Sequence, residues 1–580
     1  MSGRPARLAA GVLAGGLALG VWVRYGPLPP IEPARYTSTV IVDRRGELLS
    51  EPLSSQSTRS LWLTSVPANV ASATLAAEDK RFFHHGPIEL RAIARSALRN
   101  VQARSVVQGG STITQQVAKL LLASRERGVL TKLRETMIAF RLEARHSKSE
   151  ILALYLNLAP YGNQLHGIAR ASRAYFGCAP EDLTVAQAAF LAALPQRPTA
   201  FNPLRDEQAA LARQRYVLRR MDLPRAQLQT ALQERLRFDH AAQPMLARHF
   251  IERVREQAGG TRIETTLDAK LQRQAAGIIS AQRDNLLAHG AHSVAVAVLD
   301  NATGQWLAWE GSGDYFGEQF GGAIDGVTAL RQPGSTLKPF TYALAFENGF
   351  TPASVLADVE SHFPTAQEGV VYTPRNYDGR FRGPLRIRAA LAGSENVPAV
   401  ALLSKLGTPS LLRFLHESGF RDLDKTAQYY GLGLTLGDAE VRLEQLVAAY
   451  SMLARGGVYV EPTMLRSRPA GPGRRLLSER TAFWITDILS DPNAREYIFG
   501  TGGNLDFSFP VAVKTGTSQA YRDNWTVGYT RDVTVGVWVG NFDRDELRNS
   551  TGVTGAGPIF NAVMLAAARP APHPGTPPPP

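Results

Sequence analysis

Cysteine is almost absent: Cys178 stands alone in 580 residues. A lone cysteine excludes any intrachain disulfide and any zinc site built from several thiolates. Acidic residues are short as well, 51 against 64 lysines and arginines, which leaves a formal charge of +13. That balance favours an anionic partner such as a nucleic acid, an anionic lipid or a phosphorylated substrate. Long apolar runs are missing apart from one near the start, which excludes a multi-span transporter. No internal repeat of 20–50 residues is evident, so a solenoid is excluded too. What is present is ordinary globular material, 44% hydrophobic and 20% charged, in a chain too long for one core and suited to two to four domains.

The one apolar run is Leu8–Val23, sixteen uncharged positions preceded by Arg4 and Arg7 and followed by Arg24 and Tyr25. As a helix it would rise about 24 Å, short of the roughly 30 Å hydrocarbon core. Trp22 and Tyr25 at the interface and a snorkelling Arg24 would extend its reach. Residues 1–30 are therefore read as a signal anchor rather than a cleaved signal peptide. The flanking arginines keep the N-terminus cytoplasmic and place the rest outside the inner membrane.

From Ala68 to about Arg220 the patterning is helical. Residues 80–150 carry fourteen Lys/Arg against five acids, a local +9. A charged helical segment follows, and a second region from about residue 285 to 566 mixes strands with helices. Its end alternates over Asn524–Tyr529 and Val533–Val539 around Thr530-Arg531-Asp532, which predicts an antiparallel hairpin. Residues 567–580, with seven prolines after Arg569, read as an extended tail.

Two groups of motifs carry chemistry. The first comprises Glu78-Asp79 in LAAEDKRFFHHG, the loop-to-helix run Gly109-Gly110-Ser111-Thr112-Ile113-Thr114-Gln115-Gln116, then Lys132 and Glu135, and finally the amphipathic segment Lys148–Asn157. Singly, each reads as a solvated helix end, a capped glycine loop or a surface helix. The glycines and hydroxyls also suit a turn whose free N–H groups hold phosphate or sugar oxygens. The second group is Ser335-Thr336-Leu337-Lys338, Ser394-Glu395-Asn396 and Lys514-Thr515-Gly516-Thr517. Serine and lysine three apart share a helix face. A desolvated lysine beside other cations is neutral and activates a serine.

Taken in order, EDxxF, GGSTITQQ, KLRE and SKSEILxxYLN resemble the peptidoglycan glycosyltransferase module of class A penicillin-binding proteins, over roughly residues 45–225. SxxK, SxN and KTG in that order resemble the penicillin-recognising serine enzymes over roughly 285–566, with 226–284 as linker. The resemblance implies a multidomain α plus α/β fold: an N-terminal membrane anchor, a lysozyme-like helical domain, and a transpeptidase domain with a helix-flanked antiparallel sheet. It implies that Glu78 is the base on the acceptor sugar's hydroxyl and that Glu135 assists departure of the lipid pyrophosphate. Asp79, Ser111, Thr112, Gln116, Lys119 and Lys132 would bind substrate. Ser335 would attack the penultimate D-Ala carbonyl of a stem peptide with Lys338 as base. Ser394 and Asn396 would relay protons and orient the donor, and Lys514, Thr515, Gly516 and Thr517 would hold its carboxylate. The N–H groups of Ser335 and Thr517 would form the oxyanion hole.

The implied partners are lipid II, the nascent glycan strand, stem peptides, the inner membrane and cell-wall synthesis proteins, with β-lactams and moenomycin as inhibitors. No nucleic acid is needed. Acyl transfer requires no cofactor, no metal ligands are assigned, and Mg or Mn could serve glycosyl transfer. Details such as GSENVPAV and PYGNQLHGIARASRAYFG look most like the penicillin-binding protein 1C subgroup, with the expectation that the extra C-terminal domain common in that subgroup is missing. The resemblance is imperfect at Thr131 (commonly arginine), at Gly86 directly after His85, and at Gln187 (commonly glutamate). The alternative is a serine D,D-carboxypeptidase or β-lactam-binding sensor whose glycosyltransferase half is inactive.

Overall fold

The computed structural model describes residues 18, 20–54, 58–89, 111–123, 128–203, 205–238, 246–364 and 371–568. Most of the anchor segment, Gly109-Gly110, much of the basic stretch and the proline-rich tail lie outside the described residues. Among the described residues no helix is long and apolar enough to cross a membrane.

The chain forms two compact units: residues 1–40 with 51–243, and residues 41–50 with 244–580. These boundaries differ from the sequence-based ones in giving residues 41–50 to the second unit. There Val40–Val42 and Leu48–Ser50 pair in a three-stranded sheet with Arg262–Glu264.

The first unit is mainly helical. Its principal helices are α1 (Ala68–Glu78), α2 (Ile113–Leu122), α3 (Val129–Arg145), α4 (Lys148–Leu158), α5 (Ile168–Phe176), α6 (Val185–Ala193) and α7 (Glu207–Arg220). Three start in reciprocal capping boxes: Thr112 with Gln115, Ser147 with Glu150, and Thr184 with Gln187. Each satisfies two orphan N–H groups and fixes where its helix begins. Gln187 performs this task through its amide oxygen, which accepts from Thr184 N at 2.9 Å. The glutamine therefore keeps the cap that a glutamate would make. Helices α1, α6 and α7 pack together, and Phe82, Ile113, Tyr155 and Phe190 lie fully within the core.

The second unit is built on a five-stranded antiparallel sheet, order β3-β4-β5-β1-β2, from β1 (Ser293–Asp300), β2 (Trp306–Glu310), β3 (Ala512–Thr517), β4 (Asp523–Tyr529) and β5 (Val533–Gly540). The expected hairpin is β4–β5, in register from Asp523↔Gly540 to Tyr529↔Thr534. Both faces are covered, so the strands are buried throughout, and side-chain alternation divides them between two cores. Ala295, Ala297, Trp525 and Trp538 join one; Val294, Val296, Val535 and Val537 join the other. Helix α11 (Leu443–Ala454) lies on the first face, with α9 (Lys338–Glu347) and α10 (Asn396–Leu406) in the same core. Helices α8 (Ala269–Ala281) and α12 (Gly557–Ala567) cover the other. Gly536 permits the close seating of α11, because a Cβ there would lie 2.4 Å from Val447 Cγ2.

Candidate active sites

In the first unit, α1 ends at Glu78 because Asp79 leaves helical geometry (φ −156°, ψ 80°). Gln116 Nε2, one turn into α2, donates to Glu78 Oε2 at 2.9 Å. Glu78 Oε1 is buried with no hydrogen-bond partner among the described residues. Burial raises the Glu78 pKa above the usual carboxylate value; the Gln116 bond and the nearby Arg213 guanidinium oppose that rise. A desolvated carboxylate with one vacant acceptor oxygen is suited to take a proton from a hydroxyl.

Asp79 is buried and committed inside the protein. Its Oδ1 pairs with His85 Nε2 at 2.9 Å and its Oδ2 accepts from Ile113 N at 3.3 Å. Thr112 caps α2 and donates to Pro87 O at 2.7 Å. Asp79 and Thr112 thus fasten α2 beside Glu78. Glu135, buried on α3, receives Lys132 Nζ at 2.8 Å, and the same ammonium reaches Ser111 Oγ at 3.3 Å. Lys119 is exposed on α2. Gln116, expected to bind substrate, places its amide nitrogen on Glu78.

Sequence reasoning missed Arg213 on α7 and Tyr155 on α4. Arg213 Nε and Tyr155 Oη are buried without hydrogen-bond partners among the described residues, and Glu78 influences both groups electrostatically. Tyr155 lies inside the quoted SKSEILxxYLN run, whereas Arg213 carries no local sequence signal. Among the described residues, only Asp79, His85 and Glu89 have metal-ligand spacing, within 4.8 Å. They do not fit a cation as they stand. His85 spends its nitrogens on Gly86 O and Asp79, Asp79 spends both oxygens, and Glu89 Oε1 faces the Arg81 guanidinium at 3.7 Å.

In the second unit, Ser335 sits in a 3-10 turn, Gly334–Leu337, that runs into α9 at Lys338. In such a turn side chains at i and i+3 eclipse, which stacks Ser335 on Lys338. Two glycines bring the turn against β3. A Cβ on Gly334 would meet Thr517 O at 2.6 Å, and one on Gly516 would meet Pro333 O at 2.2 Å. Tyr450 Oη on α11 donates to Thr336 O at 2.7 Å, and Trp525 Nε1 donates to Gln332 O at 2.8 Å. These bonds hold the turn from two sides.

Lys338 Nζ donates to Ser394 O at 2.5 Å and Asn396 Oδ1 at 2.6 Å. Lys514 Nζ donates to Ser394 Oγ at 2.6 Å and Thr515 O at 3.0 Å. Ser394, in the left-handed region at φ 64°, stands between the lysines. Burial lowers both pKa values: Lys514 to about 7, and Lys338 well below its ordinary value, where the Lys514 charge adds to the effect. A neutral amine has two hydrogens, and Lys338 has two close carbonyl acceptors. Its lone pair is left for a hydroxyl, and Ser394 Oγ stands 3.5 Å from Nζ. Ser335 Oγ makes no hydrogen bond among the described residues. Thr517 Oγ1 accepts from Gly552 N at 3.1 Å.

A serine in a 3-10 turn three residues before a buried lysine whose pKa burial depresses, with a second lysine on a sheet-edge strand, is the arrangement of a serine acyl-transfer enzyme of the penicillin-recognising kind. Residues 45–222 match the family described as Transglycosylase, and residues 294–565 match the Penicillin binding protein transpeptidase domain. The chain is 35% identical over 493 residues to penicillin-binding protein 1C of Escherichia coli, covering 84% of this chain and 62% of that one. It is 31% identical over 551 residues to penicillin-binding protein 2D of Bacillus subtilis, covering 88% and 78%. The crystal structure of penicillin-binding protein 1A from Haemophilus influenzae shares the fold, with a TM-score of 0.64 at 20% identity, covering 95% of this chain and 94% of that one. The chain belongs to the class A penicillin-binding proteins, which carry a transglycosylase and a transpeptidase domain together.

Proposed function

We propose that the chain polymerises lipid II into glycan strands and cross-links their stem peptides. The observation that carries the second activity is the lysine pair joined through Ser394 beside an unengaged Ser335 Oγ. Lys338 takes the Ser335 proton as Oγ attacks the penultimate D-Ala carbonyl, and the oxyanion turns toward the N–H groups of Ser335 and Thr517. Such a donor is worth about 3 kcal/mol of barrier. The proton then passes by way of Ser394 to the departing D-Ala amine, leaving an acyl-enzyme for a neighbouring amine to resolve. Lys514, Thr515, Gly516 and Thr517 receive the donor carboxylate. β-Lactams acylate the same serine.

For the first activity, Glu78 removes the proton of the acceptor hydroxyl. Lys132, held between Glu135 and Ser111, meets the leaving pyrophosphate together with Lys119. No step runs through a metal ion. Val129, Leu130 and Leu133, on the same helix as Glu135, expose their side chains, Leu130 to 74%. With Lys132 and Arg134 nearby, that helix suits an anionic membrane surface. This supports an inner-membrane enzyme anchored through residues 1–30, with its catalytic domains in the periplasm. The test is polymerisation of lipid II by detergent-solubilised protein. Glu78→Gln should abolish it while labelled penicillin still acylates Ser335; polymerisation that survives Glu78→Gln overturns the assignment.

A further inference from the structure

Two tyrosines join the walls that flank Ser335. On one wall, the segment 375–382 is tied to the Ser394–Asn396 turn. Asn376 Oδ1 accepts from Asn396 N at 2.9 Å and Val397 N at 3.2 Å, and Asn396 Nδ2 donates to Arg375 O at 2.8 Å. Arg382 holds Glu395 at 3.0 Å and Asp378 at 2.6 Å. Tyr377 projects from this braced segment and is 71% exposed.

The other wall continues from the end of β3. Ser518 Oγ donates to Asp523 Oδ2 at 2.8 Å, and Ser518 N donates to Asp523 O at 2.9 Å, which closes a short loop. Within it Ala520 and Tyr521 are both left-handed, at φ 58° and 57°. Two successive non-glycine residues adopt that conformation only where their surroundings impose it, and such strain gathers at ligand clamps. Tyr521 is 41% exposed, yet its hydroxyl accepts from Tyr377 Oη at 3.1 Å. The rings meet edge-on, centroids 6.3 Å apart and planes at 80°. Water replaces part, but not all, of an exposed bond of this kind, so breaking it is a small barrier rather than a prohibitive one. The connection can therefore open and re-form.

We propose that Tyr377 and Tyr521 form a size-selective latch between the two walls, setting which acyl donors reach Ser335. A donor with a bulky group beside its reacting carbonyl must part the hydroxyls; a small donor passes with the latch closed. The inference rests on the reading of Ser335 as the acylated nucleophile. Both residues determine specificity and neither takes part in the acyl-transfer chemistry.

The test measures second-order acylation rates of the full chain with two β-lactams. One is 6-aminopenicillanic acid, which has no acyl side chain; the other is a fluorophore-tagged penicillin V. Tyr377→Phe and Tyr521→Phe should each speed the tagged penicillin by about 3- to 10-fold, the factor expected when one ordinary hydrogen bond is lost. The small probe should change less than about twofold, and the double variant should gain no more than either single one. Tyr377→Ala, which removes the ring as well, should gain at least as much. Thermal melting confirms that the variants fold. Equal changes for both probes, or additive gains in the double variant, overturn the latch. If neither probe acylates the wild-type chain, or if both still acylate Ser335→Ala, the underlying nucleophile reading fails instead.

Discussion

The two units obtain a base for their chemistry by the same physical means from opposite starting points. In the helical unit burial pushes the Glu78 carboxyl up; in the sheet unit burial pushes Lys338 and Lys514 down. A general base works best with a pKa near the ambient pH. Removing water moves an acid and an amine toward that point from either side. The partners differ accordingly. Glu78 keeps one hydrogen bond and a nearby arginine, both of which restrain its rise. Each lysine faces oxygen acceptors, and the lysines repel one another.

The largest effect should come from breaking neutrality in the sheet unit. An arginine cannot be deprotonated in a protein, so Lys338→Arg keeps a cation and removes the base. Penicillin acylation should fall about 10²- to 10⁴-fold, while lipid II polymerisation stays within about twofold. A small loss of acylation would mean that Ser335 gives its proton elsewhere and that the parallel between the units is false.

A pH series separates the units next. Lys514, at about 7, is an ammonium below that pH and neutral above it. Capture of a donor carboxylate should weaken as pH rises through 7, seen as a KM increase of up to about tenfold per unit. Glu78 behaves in the opposite sense. Its raised pKa protonates the base before an ordinary carboxyl would, so polymerisation should fall as pH drops while it is still above the usual carboxylate range. Between pH 6 and 8 the ratio of the two activities should therefore shift toward polymerisation as pH rises. Parallel profiles would refute a carboxylate-holding Lys514 that titrates in the sense opposite to Glu78.

Much of this was legible in the sequence because it is local. The β4–β5 hairpin follows from strict alternation, and Ser335 with Lys338 follows from a three-residue spacing. The lysine pair needed three motifs brought together, which their order indicated and the fold realises through Ser394. The surroundings of Glu78 were not legible. Arg213 arrives on α7 with no motif, and only the packing of α1, α6 and α7 brings it near. Gln116 could be named but not placed, since the sequence does not say whether an amide faces substrate or Glu78. Residues 41–50 likewise join the second unit through pairing with Arg262–Glu264, a partnership far away in the chain.

The smallest effects probe the restraint on Glu78 itself. Gln116→Leu removes the bond that opposes the rise, so the Glu78 pKa should climb further and polymerisation at neutral pH should drop about 3- to 10-fold. Arg213→Met removes a charge instead of a bond and should cost less, about 2- to 5-fold. In both variants the loss should be recovered by raising the pH, because more alkaline solution restores the ionised carboxylate. A loss that persists at pH 9 with an unchanged acid limb would place Arg213 on the substrate's phosphates rather than on the base. The helical unit would then set its base by burial and Gln116 alone.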